Sequence, residues 1–381
     1  MRTGFWIQYA FCTEGTDQLT YINEGNARII VNEGVFYNPK MKKLRDISVA
    51  FLIAAGAEGM HLLDSTSATG IRGIRYAKEA GIGEVLFLDI NPLAYKNTRS
   101  NVLRNKIKAR VLNKSIQEFA GSAEQRFDVI DLDPFGSPAP NLNDIMKLCK
   151  DSTILMVTAT DTAVLCGAHE GACIKQYMSK PIHNYLCKEA GLRILIAYMI
   201  RSAAQFNLGM EILASISDMH YMRVFARLRY GASHALASIK GIGFGAYCTS
   251  CNFFESEAGI SPQIDKKCKV CTGKLNAFGP LYLGKLKDRN ITGKMLKVAG
   301  GFGDKAEAQI KALHDELDVP FFYSIPKLTK QLGMSSVSHF NVMKRLADQD
   351  YKTSATQFDR DGIKTDAPLE KVLGAVKREN S

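Results

Sequence analysis

Between Gly59 and Thr160 short apolar runs alternate with longer amphipathic stretches, and few folds accept that rhythm. "GMHLLD", "EVLFLDIN", "ARVLN", "FDVIDLD" and "STILMVTAT" read as strands. "IRGIRYAKEAG", closed by Gly81, "PLAYKNTRSNVLRNK", opened by Pro92, and "APNLNDIMKLCK" read as helices. Strands separated by helices pair in parallel and bury both faces, so the expected fold class is α/β with a Rossmann-like doubly wound sheet. Upstream, "FYNPKMKKLRD" reads as a loop that enters a helix at Ser48, and the first forty residues show no clear period.

At 381 residues the chain exceeds one core. The composition shifts toward Cys, Gly and Lys near Gly241 to Gly245, and the expected division is an N-terminal segment (1–45), a Rossmann-like α/β body (46–243) and a smaller C-terminal α+β domain (244–381). Beyond Pro326 a helix, a turn at Gly333 and a second helix are expected, either a helix-turn-helix unit or two packed helices. Residues 363–381 read as a frayed basic end. The longest apolar run, "GLRILIAYMI", contains Arg193 and is about half of the roughly 20 residues a bilayer requires. "MRTGFWIQYAF" lacks the features of a leader peptide. The expectation is a cytoplasmic monomer without membrane contact.

The formal net charge is +11, and between Asp265 and Lys311 eleven basic residues face four acidic ones. Such a surplus suits a polyanion, and Lys285, Lys287 and Arg289 are its central candidates. At its edge, Cys248, Cys251, Cys268 and Cys271 form C-x2-C-x16-C-x2-C, the spacing of a four-thiolate zinc ribbon. Four thiolates leave no open position, so the zinc is expected to be structural.

In a doubly wound sheet ligands bind at the carboxyl ends of the strands. The first such turn, "DSTSATGIRG" from Asp64 to Gly73, carries small residues where a dinucleotide site would carry its early glycines. It suits a cofactor with a carboxylate and no pyrophosphate, S-adenosylmethionine above all. Asp89 ends the next strand, placed to accept from ribose hydroxyls or to cap the turn before Pro92. Arg72 and Arg75 follow on the helix, each able to meet a carboxylate or water.

The run "FDVIDLDPFGSPAP" asks why two acids precede an Asp-Pro turn. Asp131 and Asp133 share a strand face. Asp133 at the strand end, together with a main-chain carbonyl beside Pro134, offers acceptors for the paired N–H groups of an exocyclic base amine. That carboxylate can take the proton as a methyl arrives, and Phe135 can stack on the base.

These stretches, with "VTATDTAVLCGAH" and "VFYNPKMKKLRD", resemble the tRNA guanine-26 dimethyltransferases from about Glu24 to beyond Gly209, and again at "FDRDGIKTDAP". The resemblance implies tRNA as substrate and S-adenosylmethionine as methyl donor, with guanosine N2 as the acceptor of one or two methyl groups. It implies Asp133 as catalytic base, Pro134 as carbonyl acceptor, and Phe36 and Phe135 as the residues that hold guanine. Arg45, Asp64, Arg72 and Asp89 would line the cofactor pocket. Ser115 and Ile116 stand beside the adenine, where the family pattern has an acid; Gln117 or Glu118 are alternatives.

Cys166, His169 and Cys173 lack a fourth metal ligand, and the resemblance makes their segment a loop shaping the base pocket. Asp161 is a candidate supporting acid, and His183, His220 and His234 read as structural. Two other functions compete: a DNA or ribosomal RNA amino-methyltransferase, and a zinc-ribbon nucleic-acid binder without catalysis.

Overall fold

The computed structural model describes residues 20–335 and 337–377; "MRTGFWIQYAF" and residues 378–381 of the expected frayed end lie outside the described residues. The chain opens with an antiparallel hairpin, β1 (Thr20–Glu24) and β2 (Ala27–Val31). A 3-10 turn over Pro39–Met41 follows, where the Asn38 side chain accepts from Lys40 N, and leads directly into α1 (Lys42–Ala55). The helix thus begins well before Ser48, which lies inside it and donates to the Leu44 carbonyl. Arg45 and Asp46 are consequently helical and buried.

The alternation expected from the sequence then follows. β3 (His61–Asp64), α2 (Ile71–Glu79), β4 (Glu84–Leu88), α3 (Pro92–Asn105), β5 (Ala109–Leu112), α4 (Ile116–Ser122), β6 (Phe127–Leu132), α5 (Ala139–Lys147) and β7 (Cys149–Ala159) succeed one another. Two short helices, α6 (Thr162–Leu165) and α7 (Glu170–Tyr177), precede α8 (Cys187–Ala204), then β8 (Leu208–Ser217) and β9 (Met222–Tyr230). The seven-stranded sheet has the order β5-β4-β3-β6-β7-β9-β8. β3 to β7 pair in parallel, and β9 and β8 add an antiparallel edge. "GLRILIAYMI" lies in α8, whose Arg193 pairs with Glu189 at 2.8 Å inside the core. Among the described residues no helix is long and apolar enough to cross a membrane.

Two local features fix the walls of the crevice. A Cβ on Gly73 would lie 2.4 Å from the Phe87 ring, so only glycine lets α2 press this closely on β4. The second is an asparagine ladder at i, i+4, i+8 on α3. Asn101 Oδ1 accepts from Ile30 N and its Nδ2 donates to Ile30 O; Asn105 does the same for Arg28, and Asn97 also donates to Ile30 O. These amides complete the free edge of β2 as another strand would, which satisfies otherwise orphaned backbone groups.

After α9 (Ala232–Ile239), a three-stranded sheet forms from β10 (Ile242–Cys248), β11 (Phe254–Ala258) and β12 (Leu275–Tyr282), with β10 central. α10 (Arg289–Ala299) and α11 (Asp304–Asp315) come next, then β13 (Tyr323–Ser324), α12 (Ile325–Gln331), α13 (His339–Ala347), β14 (Thr353–Ala355), β15 (Gly362–Thr365) and α14 (Leu369–Lys377). Packing crosses the line expected after residue 243. Ile291, Met295 and Ile310 of α10 and α11 join the core of α1, and Phe278 and Phe321 join that of α8. The two helices after Pro326 both pack against α14, and Gly333 turns between them at φ 65°. Residues 363–377 are not frayed: β15 pairs with β13 and β14, and α14 buries Leu369, Val372 and Val376 at helical spacing.

Candidate functional site

The sheet order reverses direction between β3 and β6, and there the strand ends open into a cavity of about 830 Å³. Its floor is the turn Ser65 to Thr69. Ala68 adopts φ 48°, and its N–H donates to Asp89 Oδ2 at 2.8 Å. Asp89 Oδ1 accepts from Asn91 N at 2.9 Å, so the half-buried carboxylate is fixed at the cavity wall. The acid therefore caps its turn and lines the cavity at once.

Asp64 departs from expectation. It does not line the cavity but lies beneath the turn, 2% exposed, where Oδ2 accepts from Gly73 N. Burial, reinforced by the charge of Asp131 and partly offset by Arg72, pushes its carboxyl up to about 7. Its place is behind the wall because the last residue of β3 still points into the α2 layer.

Asp133 follows the end of β6, partly exposed at the cavity. Its N–H donates to Thr66 Oγ1 at 3.2 Å, and its Oδ2 pairs with Arg72 Nη2 at 2.6 Å. Arg72 is thus held by Asp133, while its buried Nη1 has no hydrogen-bond partner and lies 4.0 Å from Asp131. No donor among the described residues reaches the Pro134 carbonyl. Phe36 and Phe135, exposed at 49% and 74%, meet edge to face over the cavity with centroids 4.4 Å apart. Large apolar rings left this open at a cavity mouth are the usual mark of a binding surface.

The turn that carries Phe135 is braced from behind. Gly136, at φ 73°, donates to Thr160 Oγ1 and accepts from Thr160 N. Ser137 donates to the Tyr177 hydroxyl, which donates to Asp161 at 2.9 Å. Burial raises the Asp161 carboxyl above its usual range, against the hydrogen bond from Tyr177. The "TDTAVLCGAHEGACIKQY" segment is thus two short helices behind the turn rather than an open loop.

Sequence reasoning missed two buried charge clusters that position these groups. Glu24 accepts from Arg45 at 2.7 and 2.6 Å, from Tyr37 at 2.9 Å and from Arg75 at 2.9 Å. Burial alone would raise its carboxyl, but Arg45 and its neighbours hold it near 2. Arg45 remains on the cavity wall, whereas Arg75 is withdrawn into this cluster and also pairs with Asp46 and Glu79. Asp131 is fully buried and takes Arg223 through both oxygens, at 2.7 and 3.1 Å, with the Tyr76 hydroxyl at 2.7 Å. Burial opposes that charge, but Arg223 and Arg72 hold the Asp131 carboxyl below the usual range. An arginine flanked by apolar residues in "YMRVFARLRY" was the available signal.

Ser115 and Ile116 line the cavity beside Gln117. Ser115 caps α4, and Glu118 reaches back to its N–H, so Glu118 is committed to the cap and is not a cavity residue. His220, expected to be structural, is exposed on the cavity wall, while His183 binds the Cys166 carbonyl from an exposed position. Lys287 is 3% exposed and donates to the Glu316 carbonyl, so it does not belong to the basic surface; Lys285 and Arg289 remain exposed.

The sulfurs of Cys248, Cys251, Cys268 and Cys271 lie within 4.8 Å of one another, with Cys248 to Cys271 at 3.5 Å and Cys251 to Cys268 at 3.6 Å. A zinc tetrahedron with Zn–S bonds of about 2.3 Å has S···S edges of about 3.8 Å. A disulfide requires about 2.05 Å. Val270 N–H donates to Cys268 Sγ, and a Cβ on Gly273 would crowd two of the sulfurs at 3.2 and 3.4 Å. The donor set and its spacing fit a closed thiolate site.

The sequence model of the N2,N2-dimethylguanosine tRNA methyltransferases matches residues 16–377. The chain is similar to the tRNA (guanine(26)-N(2))-dimethyltransferase of Pyrococcus furiosus, 35% identical with 95% of this chain and 99% of that protein covered. The enzyme of the same name from Methanothermobacter thermautotrophicus is 35% identical over 94% of this chain and 99% of its own. Among solved structures, Trm1 from Pyrococcus horikoshii in complex with S-adenosyl-L-methionine superimposes with a TM-score of 0.87 at 33% identity, covering 94% of this chain and 99% of that one.

Proposed function

Since the chain belongs to the N2,N2-dimethylguanosine tRNA methyltransferase family, and is an S-adenosylmethionine-dependent enzyme acting on N2 of guanosine 26 in tRNA, we propose that Asp133 is its catalytic base. The observation that carries the reading is the joint presentation of an Asp133 carboxylate and a free Pro134 carbonyl beneath exposed Phe36 and Phe135. Bound S-adenosylmethionine supplies an electrophilic methyl group. Asp133 and the Pro134 carbonyl accept the two N–H groups of the guanine amine. Its lone pair, delocalised into the ring, becomes available as the N–H bonds polarise toward these acceptors, and Asp133 takes the proton. Phe36 and Phe135 part to admit the base and hold its faces.

The cofactor fits the opposite wall. Arg72 lines the cavity and its buried Nη1, 4.0 Å from Asp131 but without a hydrogen bond, is a spare donor for a carboxylate, and Arg45 lines the same cavity. Asp89 retains lone pairs for ribose hydroxyls, and Ser115, Ile116 and Gln117 border the place of the adenine. Asp64 acts indirectly by fixing the turn through Gly73. The methyltransferase body is best taken as residues 46–243 with α10 and α11 added, since these pack on α1. A tRNA transcript with guanosine 26 should accept label from methyl-labelled cofactor, recovered as N2-methylated guanosine. Transcripts with adenosine 26, ribosomal RNA and duplex DNA should not. Label in DNA or ribosomal RNA would favour the broader amino-methyltransferase reading, and no label anywhere would favour a non-catalytic binder.

The cysteine cluster is assigned as structural zinc that orders the RNA-facing β10–β12 sheet, alongside exposed Lys285 and Arg289. Zinc–thiolate binding contributes an apparent ~10–16 kcal/mol tied to local folding. Protein purified without chelator is therefore expected to carry about one zinc per chain, and Cys251→Ala to unfold this sheet while S-adenosylmethionine binding persists. Substoichiometric metal in the wild-type protein would overturn the assignment.

A further inference from the structure

The C-terminal basic surface lies toward the β8 edge of the main sheet, since β12 packs on α8 and α8 on β8. The opposite edge, formed by β5 and α3, is also basic. From Pro92 to Ser115 the chain has seven basic residues and no acid. Lys96, Arg99 and Arg104 occupy the exposed face of α3, whose other face is committed to the asparagine ladder. The helix starts at the cavity, where Asn91 and Ala94 line the wall. Its 14 residues extend about 21 Å away from it. At its far end Arg104 and Lys106 meet Arg28 and Lys78 around a groove of about 580 Å³ whose lining contains no acidic residue.

These cations are uncommitted. Among the described residues none of Arg28, Lys78, Lys96, Arg99, Arg104 and Lys106 is paired with a carboxylate. Glu79 of α2 and Glu84 of β4 are already bound to Arg75 and Lys108. Arg104 rests over the exposed Tyr21 ring and Arg99 over Tyr95, arrangements that hold a guanidinium extended at the surface. A solvated face evolved only for solubility has no need of a groove that gathers four cations at the end of a track leading from the active-site mouth.

We propose that this edge, from Lys96 to the Arg28–Lys78–Arg104–Lys106 groove, is a second phosphate-binding surface for the tRNA. The inference rests on the cavity being the methyl-transfer site. With guanosine 26 in the central cavity, the RNA would be gripped on both edges of the sheet, so that the base is presented at the mouth between two anchors. Phosphate contacts of this kind set affinity and register and leave the chemical step untouched.

The test compares wild type, R99Q/R104Q/K106Q and a control lacking three cations elsewhere, R126Q/K147Q/K150Q. tRNA affinity is measured against salt concentration, and steady-state methylation is measured in parallel. The surface variant should bind tRNA on the order of tenfold more weakly at moderate salt. Its log–log salt slope should be shallower by about 2, given roughly 0.7–0.9 per phosphate contact. KM for tRNA should rise with kcat and S-adenosylmethionine affinity unchanged, and the control should match wild type. An unaltered slope and KM would overturn the proposal, as would an equal loss in the control, which would reduce the effect to net charge. Failure of wild type to methylate tRNA would instead remove the functional reading beneath it.

Discussion

Asp131→Ala is expected to destabilise the protein by about 3–5 kcal/mol, because it leaves Arg223 charged and unpaired in the middle of the sheet. Both side chains are 0% exposed. The alanine would strip Arg223 of both its carboxylate bonds and Tyr76 of its acceptor, leaving Thr158 and Ser48 as the remaining partners of that guanidinium. Asp131→Asn keeps an acceptor of nearly the same shape but no charge, so it should fall between wild type and alanine. Urea unfolding followed by far-ultraviolet circular dichroism reads the effect. Because Asp131 does not itself line the cavity and reaches its wall only through Arg72 and Ser65, Asp131→Asn should lower stability more than it lowers the single-turnover rate of the folded protein. A loss under about 1 kcal/mol in the alanine variant would mean that Arg223 finds water or another partner.

That pair also shows where sequence reading reached its limit. The parallel strands β3 to β7 were legible because each is a short apolar run bounded by a turn, and the period alone separates them from the helices. The cavity residues Asp89, Asp133 and Phe135 were legible because they stand at strand ends or in a proline turn, where local chemistry is visible, whereas Phe36 was legible only through the family resemblance. Asp131 and Arg223 are 92 residues apart, and no local period reveals that an acid on β6 and a base on β9 meet across β7, beside Ser48 of α1. Glu24, Arg45 and Arg75 pose the same difficulty, since three distant segments meet in one buried cluster. Lys287 shows the converse. It sits in a run of surface lysines yet is drawn inward by the carbonyl of Glu316, a contact that composition cannot show. The start of α1 was hidden by Pro39, which reads as a breaker but serves as the first residue of a 3-10 turn.

The claim on which the account turns is that Asp133 receives the amine proton. Arg72 engages its Oδ2, which fixes the carboxylate, and Oδ1 has no partner among the described residues. Asp133→Ala removes the proton acceptor and one of the two N–H acceptors together. General-base help of roughly 10²–10⁴-fold and the charge stabilisation that accompanies it should both be lost. Asp133→Asn still accepts one hydrogen bond through its amide oxygen but cannot take a proton at neutral pH, so it should retain slight activity above alanine. Cofactor binding should persist in either variant, since Asp89, Arg45 and the Ser65 to Thr69 turn remain in place and only Arg72 loses its Asp133 partner. The decisive measurement is single-turnover methyl transfer to a guanosine-26 tRNA transcript, with S-adenosylmethionine binding followed separately by calorimetry. The account predicts that Asp133→Ala falls by at least about 10³-fold while still binding the cofactor; an alanine variant that methylates at close to the wild-type rate would contradict it and leave the Asp-Pro-Phe-Gly turn a structural element only.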